Sequence, residues 1–208
     1  MSERPILFSG PMVRAQLAGL KTQTRRILKP KKQACLLSDE GTDDYVLDPG
    51  NREWLESYYP WRVGDRLWVR ETHYVWSAGY KDGTGRRISY RATEPDAPTS
   101  WTAAIFMPRW ASRLTLIVTD VRVQRLLDIS EEDAEAEGFK AGRLDDGFGP
   151  QDIGGGFTVE SPGTYASAAG MFQVTWAKLH PEWDGYSSPW VAALTFTVEQ
   201  RNIDDQSV

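Results

Sequence analysis

Apolar positions along this chain fall into short runs, more often at the period of a strand than at that of a helix. Ile6 to Phe8 reads as a short strand. Ser9 or Gly10 then suits a helix cap and Pro11 a first turn, where the N–H that proline lacks has no partner anyway. Val13, Leu17 and Leu20 follow at helical spacing, and Gly19 suits the helix end. The chain next enters the polar stretch Lys21-Thr22-Gln23-Thr24-Arg25-Arg26. A strand there sends Lys21 and Thr24 to opposite faces, whereas a bend at the helix exit brings them together; the spacing leaves both open. Val63-Gly64-Asp65 predicts a tight turn into Arg66 to Thr72, where Leu67, Val69 and Glu71 share one face and Trp68, Arg70 and Thr72 the other. A carboxylate on the apolar face is anomalous: Glu71 either pairs with an arginine or reaches into a pocket.

Farther on, Ile88 to Arg91 predicts another strand, and Leu114 to Leu127 one long strand or two joined at Asp120. Ser130-Glu131-Glu132-Asp133 is a capping arrangement that opens a short helix closed by Gly138. Glu135 and Glu137 sit near its C-terminal end, where acids oppose the helix dipole, so Glu137 is either solvated or held for a purpose. Met171, Val174, Trp176 and Leu179 predict a helix ending at His180-Pro181, and Trp190 to Val198 a final strand. Two regions lack this order. Residues 30–60 carry Pro30, Ser38-Asp39-Glu40, Pro49-Gly50 and Asn51 and read as a loop or flap. Residues 141–170, with Gly154-Gly155-Gly156, read as a mobile insertion without a core of its own. A single β-rich α+β domain over 1–203 is expected, with a frayed tail over 204–208.

Composition narrows the classes. The 208 residues are 40% hydrophobic and 25% charged, and no apolar run approaches the roughly 20 residues that span a bilayer, so no membrane partner is expected. The start has no secretory h-region, and the lone Cys35 has neither a disulfide partner nor a metal-ligand cluster, which predicts a cytoplasmic protein. A net charge of −5 argues against wrapping long nucleic acid; the basic concentration is local, at Lys21, Arg25, Arg26, Lys29, Lys31 and Lys32. Nine tryptophans are many, several beside Arg or Pro, as at Trp61-Arg62, Trp68-Val69-Arg70, Arg109-Trp110 and Pro189-Trp190; most are expected in the core, with base stacking the minority role.

Phosphate-binding and dinucleotide-binding glycine motifs are absent, as is His-Glu-x-x-His, and no cofactor or metal is expected. Only His73 and His180 are available for histidine chemistry; His180 beside Pro181 reads as a helix end, and His73 as a residue near Glu71. Lys21 and Thr24 remain, as a base and a hydroxyl nucleophile or as two residues of an ordinary surface turn.

Four blocks in order tip that balance: Arg4 to Val13 with Gly19 to Arg26, Gly64 to Thr72, Ile129 to Gly138, and Ser188-Pro189-Trp190-Val191. Together they resemble the phage-associated ASCH-domain proteins of the PUA-like group, over most of the chain. The resemblance implies a mixed β-barrel with flanking short helices, plus the flap and the Gly-rich insertion that minimal members lack. It also implies a pocket for a nucleoside, modified base or single-stranded nucleic acid. One branch removes the acetyl group from N-acetylcytidine with a lysine, a threonine and a glutamate, at positions matching Lys21, Thr24 and Glu137. There Thr24 is the nucleophile, Lys21 the base and Glu137 the orienting group, with Arg25, Arg26, Trp68, Arg70, Glu71 and His73 around the substrate. Other members are ribonucleases or non-catalytic RNA or DNA readers, and a phage accessory protein that binds a host partner through the flap and insertion is a further alternative.

Overall fold

A computed structural model of the chain describes residues 2–28, 43–57, 59–76, 87–96, 100–143 and 165–205. Its centre is a five-stranded mixed sheet built from β1 (Glu3–Leu7), β2 (Gln23–Ile27), β3 (Arg66–Arg70), β6 (Thr115–Arg125) and β9 (Trp190–Glu199), in the order β1-β3-β6-β9-β2. The β1–β3 pair is parallel and the other three pairs are antiparallel. Two small ladders lie outside it, β4 (His73–Val75) with β5 (Ile88–Tyr90) and β7 (Gly142–Arg143) with β8 (Tyr165–Ala166). The segment around Asp120 is one strand with a register shift between Val118 and Asp120, the local mark of a bulge.

The helices are α1 (Gly10–Leu17), α2 (Asp43–Leu47), α3 (Arg52–Glu56), α4 (Glu131–Ala136) and α5 (Ala168–Leu179). Strand β9 explains how two cores coexist. Its first five residues are all buried and alternate in direction. Trp190, Ala192 and Leu194 join the main core with Ile6, Phe8, Leu67, Leu116 and Phe196. Val191 turns the other way, into a second core with Leu126, Phe139, Met171, Phe172 and Trp176 from the α4 and α5 layer. A strand covered on both faces needs small or apolar residues throughout, and Trp-Val-Ala-Ala-Leu supplies them.

The α+β class holds, but barrel closure by hydrogen-bonded strands is absent among the described residues, since β1 and β2 are the two edges of an open sheet. A side chain joins these edges instead. Arg26 Nη2 donates to the carbonyl of Leu7 at 2.7 Å, with its guanidinium 5.0 Å from the centre of the Phe8 ring.

Two expectations need correction. Within 30–60, described from residue 43, the chain forms α2 and α3, held by the buried Val46 and Leu55, with Tyr59 buried beyond them. Residues 29–42 and 144–164, with Cys35, Lys29, Lys31, Lys32 and the glycine triplet, lie outside the described residues, as does 206–208 of the tail. At the tail's start the chain is tied down rather than frayed. Arg109 Nε donates to Asp204 at 3.0 Å, and Asn202 Nδ2 donates to the carbonyls of Arg109 and Ser112.

One buried residue works against this packing. Gln16 of α1 is 1% exposed, and neither atom of its amide has a partner among the described residues. Gln16→Met, of similar length and apolar, is expected to stabilise the fold by about 1–3 kcal/mol, the ordinary cost of an unsatisfied buried polar group. Urea denaturation checks this, and a lower midpoint for the variant would mean that the amide does have a partner.

Candidate functional site

The polar stretch after α1 is shaped by its exit turn. Gly19 takes φ +71°, and the amides of both Leu20 and Lys21 donate to the carbonyl of Ala15, at 2.8 and 3.2 Å. This tight reversal turns Lys21 inward, and the chain starts β2 two residues later. From the other side of the sequence, α4 is capped by Ser130 Oγ, which accepts from the amide of Asp133 at 3.1 Å. It ends at Glu137, and Gly138 with φ +97° carries the chain away. The amide of Thr22 donates to the carbonyl of Ala136 at 2.8 Å, so the two exits are fastened back to back.

Lys21 is completely buried. Its Nζ donates to Glu137 Oε2 at 2.5 Å and to the Glu137 carbonyl at 3.0 Å. The misplaced acid is thereby explained: a cation sits on the helix's last carbonyl and on the carboxylate beside it, offsetting the unfavourable dipole. Burial pushes the Lys21 ammonium below its ordinary pKa, and the Glu137 carboxylate opposes that fall. The other carboxylate oxygen, Oε1, accepts from Arg25 Nη1 at 3.1 Å.

Arg25 is held by the register of three strands. Arg25 of β2 pairs with Ala193 of β9, which pairs with Arg122 of β6. The small alanine leaves both guanidiniums room to reach one carboxylate of α4, Asp133, at 2.7 Å from Arg25 Nη2 and 2.9 Å from Arg122 Nη2. Gln23 Nε2 adds a third donor at 3.0 Å. Burial pushes the Asp133 carboxyl up, but the donors from Arg122 and Gln23 outweigh it and hold it below its ordinary value. The result is an alternating chain of charge, Lys21, Glu137, Arg25, Asp133, Arg122, and the members of the basic cluster nearest the helix are not a solvated basic face.

A cavity of about 70 Å³ opens beside Glu137 at the β2 edge. Because the strand is met side-on, the cavity touches Thr24, Arg25 and Arg26 alike, together with Phe139, Phe172, Thr175, Trp176 and His180. The ring of Trp176 stacks on His180 with centroids 4.4 Å apart and leans on Phe172 at 5.6 Å. Thr24 is buried, and its hydroxyl makes no hydrogen bond among the described residues. Lys21, Thr24 and Glu137 thus converge in part: Lys21 bonds Glu137 from behind, while Thr24 shares the cavity with Glu137 without a bond to either.

The remaining candidates lie elsewhere. Glu71 is 1% exposed and takes the structural option, accepting both Arg113 Nε at 2.8 Å and Arg113 Nη2 at 3.0 Å. Burial raises its pKa and Arg113 opposes the rise. His73 is buried in β4, where burial lowers its pKa against the Glu71 carbonyl 3.3 Å away. Trp68 packs under Arg70 at 4.5 Å, and Arg70 Nη1 donates to the carbonyl of Ile105. None of these four lines the cavity. Burying Glu71 required an arginine partner, and that pairing uses up the carboxylate.

The sequence reading passes over Phe139, Phe172 and Thr175, and places Asp133 in a helix cap and Trp176 in a helical pattern without a role at the site. On α5 the spacing Phe172, Thr175, Trp176, Leu179 covers one face, and its single polar member was the available signal.

Among the described residues no cluster of His, Cys, Asp and Glu is placed to hold a metal ion, and no helix is long and apolar enough to cross a membrane. No family model matches the chain, and no curated protein matches it. Among solved structures, the chain is similar to the crystal structure of protein EF3133 from Enterococcus faecalis V583, described by the family model DUF984. The two are 11% identical, over 98% of this chain and 79% of that one, with a TM-score of 0.41.

Proposed function

We propose that the chain is an ASCH-type protein of the PUA-like group, its barrel drawn together by Arg26 rather than by a strand ladder. In this reading the cavity at β2 takes the acyl group of an acylated nucleoside, and N-acetylcytidine-like compounds are the substrate class. The observation that carries the reading is the Lys21–Glu137 contact, made across 116 residues between the two positions that the resemblance pairs. A cavity of about 70 Å³ has the volume of roughly two waters in the liquid, suited to an acyl group with the base outside it against Trp176 and His180.

In the proposed reaction Thr24 Oγ1 attacks the acyl carbonyl carbon and its proton passes to Lys21, which acts in its amine form once the ammonium, lowered in pKa by burial, has given up a proton. As the tetrahedral centre collapses, Lys21 returns that proton to the nucleoside nitrogen and the C–N bond breaks, and water then hydrolyses the threonine ester, releasing the carboxylic acid and restoring the Thr24 hydroxyl. The Thr24–Lys21 hydrogen bond that this needs belongs to the substrate complex. Glu137, fixed by Lys21 and Arg25, orients the lysine.

The test is chromatographic: incubate the protein with N-acetylcytidine and follow cytidine. Thr24→Ala is expected to abolish release while leaving stability within about 1 kcal/mol, because the hydroxyl has no partner to lose. Release by the variant at the wild-type rate would end the proposal. A second reading is a non-catalytic reader of a modified base or single-stranded nucleic acid. It is favoured by the engagement of both Glu137 oxygens and of Lys21 Nζ in ion pairs. Wild-type binding without release, weakening with salt for an oligonucleotide, supports that reading instead, and RNA cleavage in the same assay points to a ribonuclease.

A further inference from the structure

We infer that Thr175 and Trp176 of α5 select the ligand of this cavity by donating hydrogen bonds to an oxygen acceptor of the kind an acyl carbonyl supplies. The inference rests on the reading above and adds to it two residues on a different element from Lys21, Thr24 and Glu137.

The argument is an inventory of donors and acceptors. Thr175 is 1% exposed and Trp176 6%, yet neither Thr175 Oγ1 nor Trp176 Nε1 has a partner among the described residues. The same holds for Arg25 Nε and Arg26 Nε, so four polar atoms on residues lining one small cavity are unmatched. Buried polar groups are nearly always paired, and a concentration of exceptions in one place marks a partner that arrives from outside. Three of these atoms, the indole and the two guanidinium nitrogens, can only donate, and the threonine hydroxyl can do either. The carboxylate in the cavity wall is already engaged, Oε1 by Arg25 and Oε2 by Lys21. The wall is therefore rich in donors, and a ligand oxygen with two lone pairs satisfies it.

An amino group offers donors to a wall of donors and is rejected. That asymmetry has a consequence for turnover: the acylated nucleoside carries the acyl acceptor, whereas the nucleoside product has a free amine in its place and the acceptor leaves with the carboxylate. The cavity thus discriminates against the nucleoside product. Trp176 contributes twice, through its N–H and through a ring that, stacked on His180, offers a face for the base.

Thr175→Val tests this, since it keeps the shape of the side chain and removes only the hydroxyl. Without ligand, an unpartnered hydroxyl costs nothing to lose, so the melting temperature should stay level or rise. A fall of roughly 3 °C or more would show that the hydroxyl has a structural partner and would overturn the inference.

With ligand, calorimetric affinities are compared for N-acetylcytidine and for N-ethylcytidine, of similar size but without the carbonyl. Wild type is expected to prefer the acetyl compound by about tenfold or more. Thr175→Val should cut that preference by about tenfold with the ethyl compound unaffected, a split that a purely structural role would not produce. Trp176→Phe should weaken both, the acetyl compound more. Equal wild-type affinity for the two compounds, or equal weakening of both by Thr175→Val, overturns the inference. Inorganic phosphate is the separate probe. If neither nucleoside binds but phosphate does, and Thr175→Val weakens it, the donor wall stands, its ligand is an anionic oxygen, and the acylated-nucleoside reading falls alone. If phosphate also fails to bind, both fall together.

Discussion

Glu137→Ala is expected to cost about 3–5 kcal/mol at neutral pH, because it strands a completely buried ammonium with only a backbone carbonyl for company. Arg25 loses less, since Asp133 remains to it. The deficit should depend on pH in a definite direction. The unfolded lysine keeps its proton up to its ordinary value of 10.5, while the folded one, already lowered by burial, falls further without the carboxylate. Between the variant's folded value and the wild type's the variant gains stability with pH that the wild type does not, so the deficit shrinks as pH is raised from neutral toward the lowered wild-type value. Urea denaturation of wild type and variant across that range checks it. A deficit that stays constant would mean that Lys21 finds another anion or water.

Arg113→Ala should show the opposite slope, from a loss of about 3 kcal/mol at neutral pH. The carboxylate it abandons, Glu71, is 1% exposed, but the arginine side chain is itself a quarter exposed, which places the pair below a fully buried one. Glu71 already has its pKa raised above 4.5 by burial, and removing Arg113 raises it further. In the window above 4.5 the folded carboxyl holds a proton that the unfolded one has released, so stability falls as pH rises through the folded value. The variant's deficit is therefore full above the raised pKa of its stranded carboxyl and shrinks as pH is lowered toward the wild-type value of Glu71, itself above 4.5. What persists in acid is the lost contact of the guanidinium with the Tyr90 ring, 4.0 Å from its centre. A deficit that grows on acidification would contradict the assignment of Glu71 as the stranded charge. The two variants form a pair, one relieved by base and the other by acid, and neither slope can be produced by a cavity alone.

These charges also show where reading from the sequence succeeds and where it stops. Alternation after the Gly64-Asp65 turn locates β3 and the alternation of Leu114 to Leu127 locates β6, whereas apolar composition rather than period locates β9, whose first half is buried on both faces. The caps at Ser130 and Gly138 locate α4 to within a residue, since orphan amides and a left-handed exit need those residue types. Short α2 and α3 escape, because five residues make little more than one turn, too short a stretch for a helical period to show. The convergence of Lys21 on Glu137 escapes for a different reason. It depends on two amides sharing the Ala15 carbonyl, a geometry with no residue signature beyond the glycine before it. Glu71 was legible as an anomaly but not as a solved one, since Arg113 lies 42 residues away on no recognisable spacing. The aromatic wall on α5 looked like core because it is core on one side, and only the hydroxyl of Thr175 betrays the other.

The position of β9 has a consequence in time. The strand that lies between β6 and β2 comes after the other four strands of the sheet in sequence, so during synthesis β2 waits for its ladder partner among the described residues until more than 160 further residues have been made. Until then Arg25 lacks the register with Ala193 and Arg122 that aims it at Asp133. The pocket consequently takes shape only once β9 has been made. Folding that depends on such distant pairings is slow, and a ribosome-bound chain carries β2 as an unpaired edge until β9 emerges.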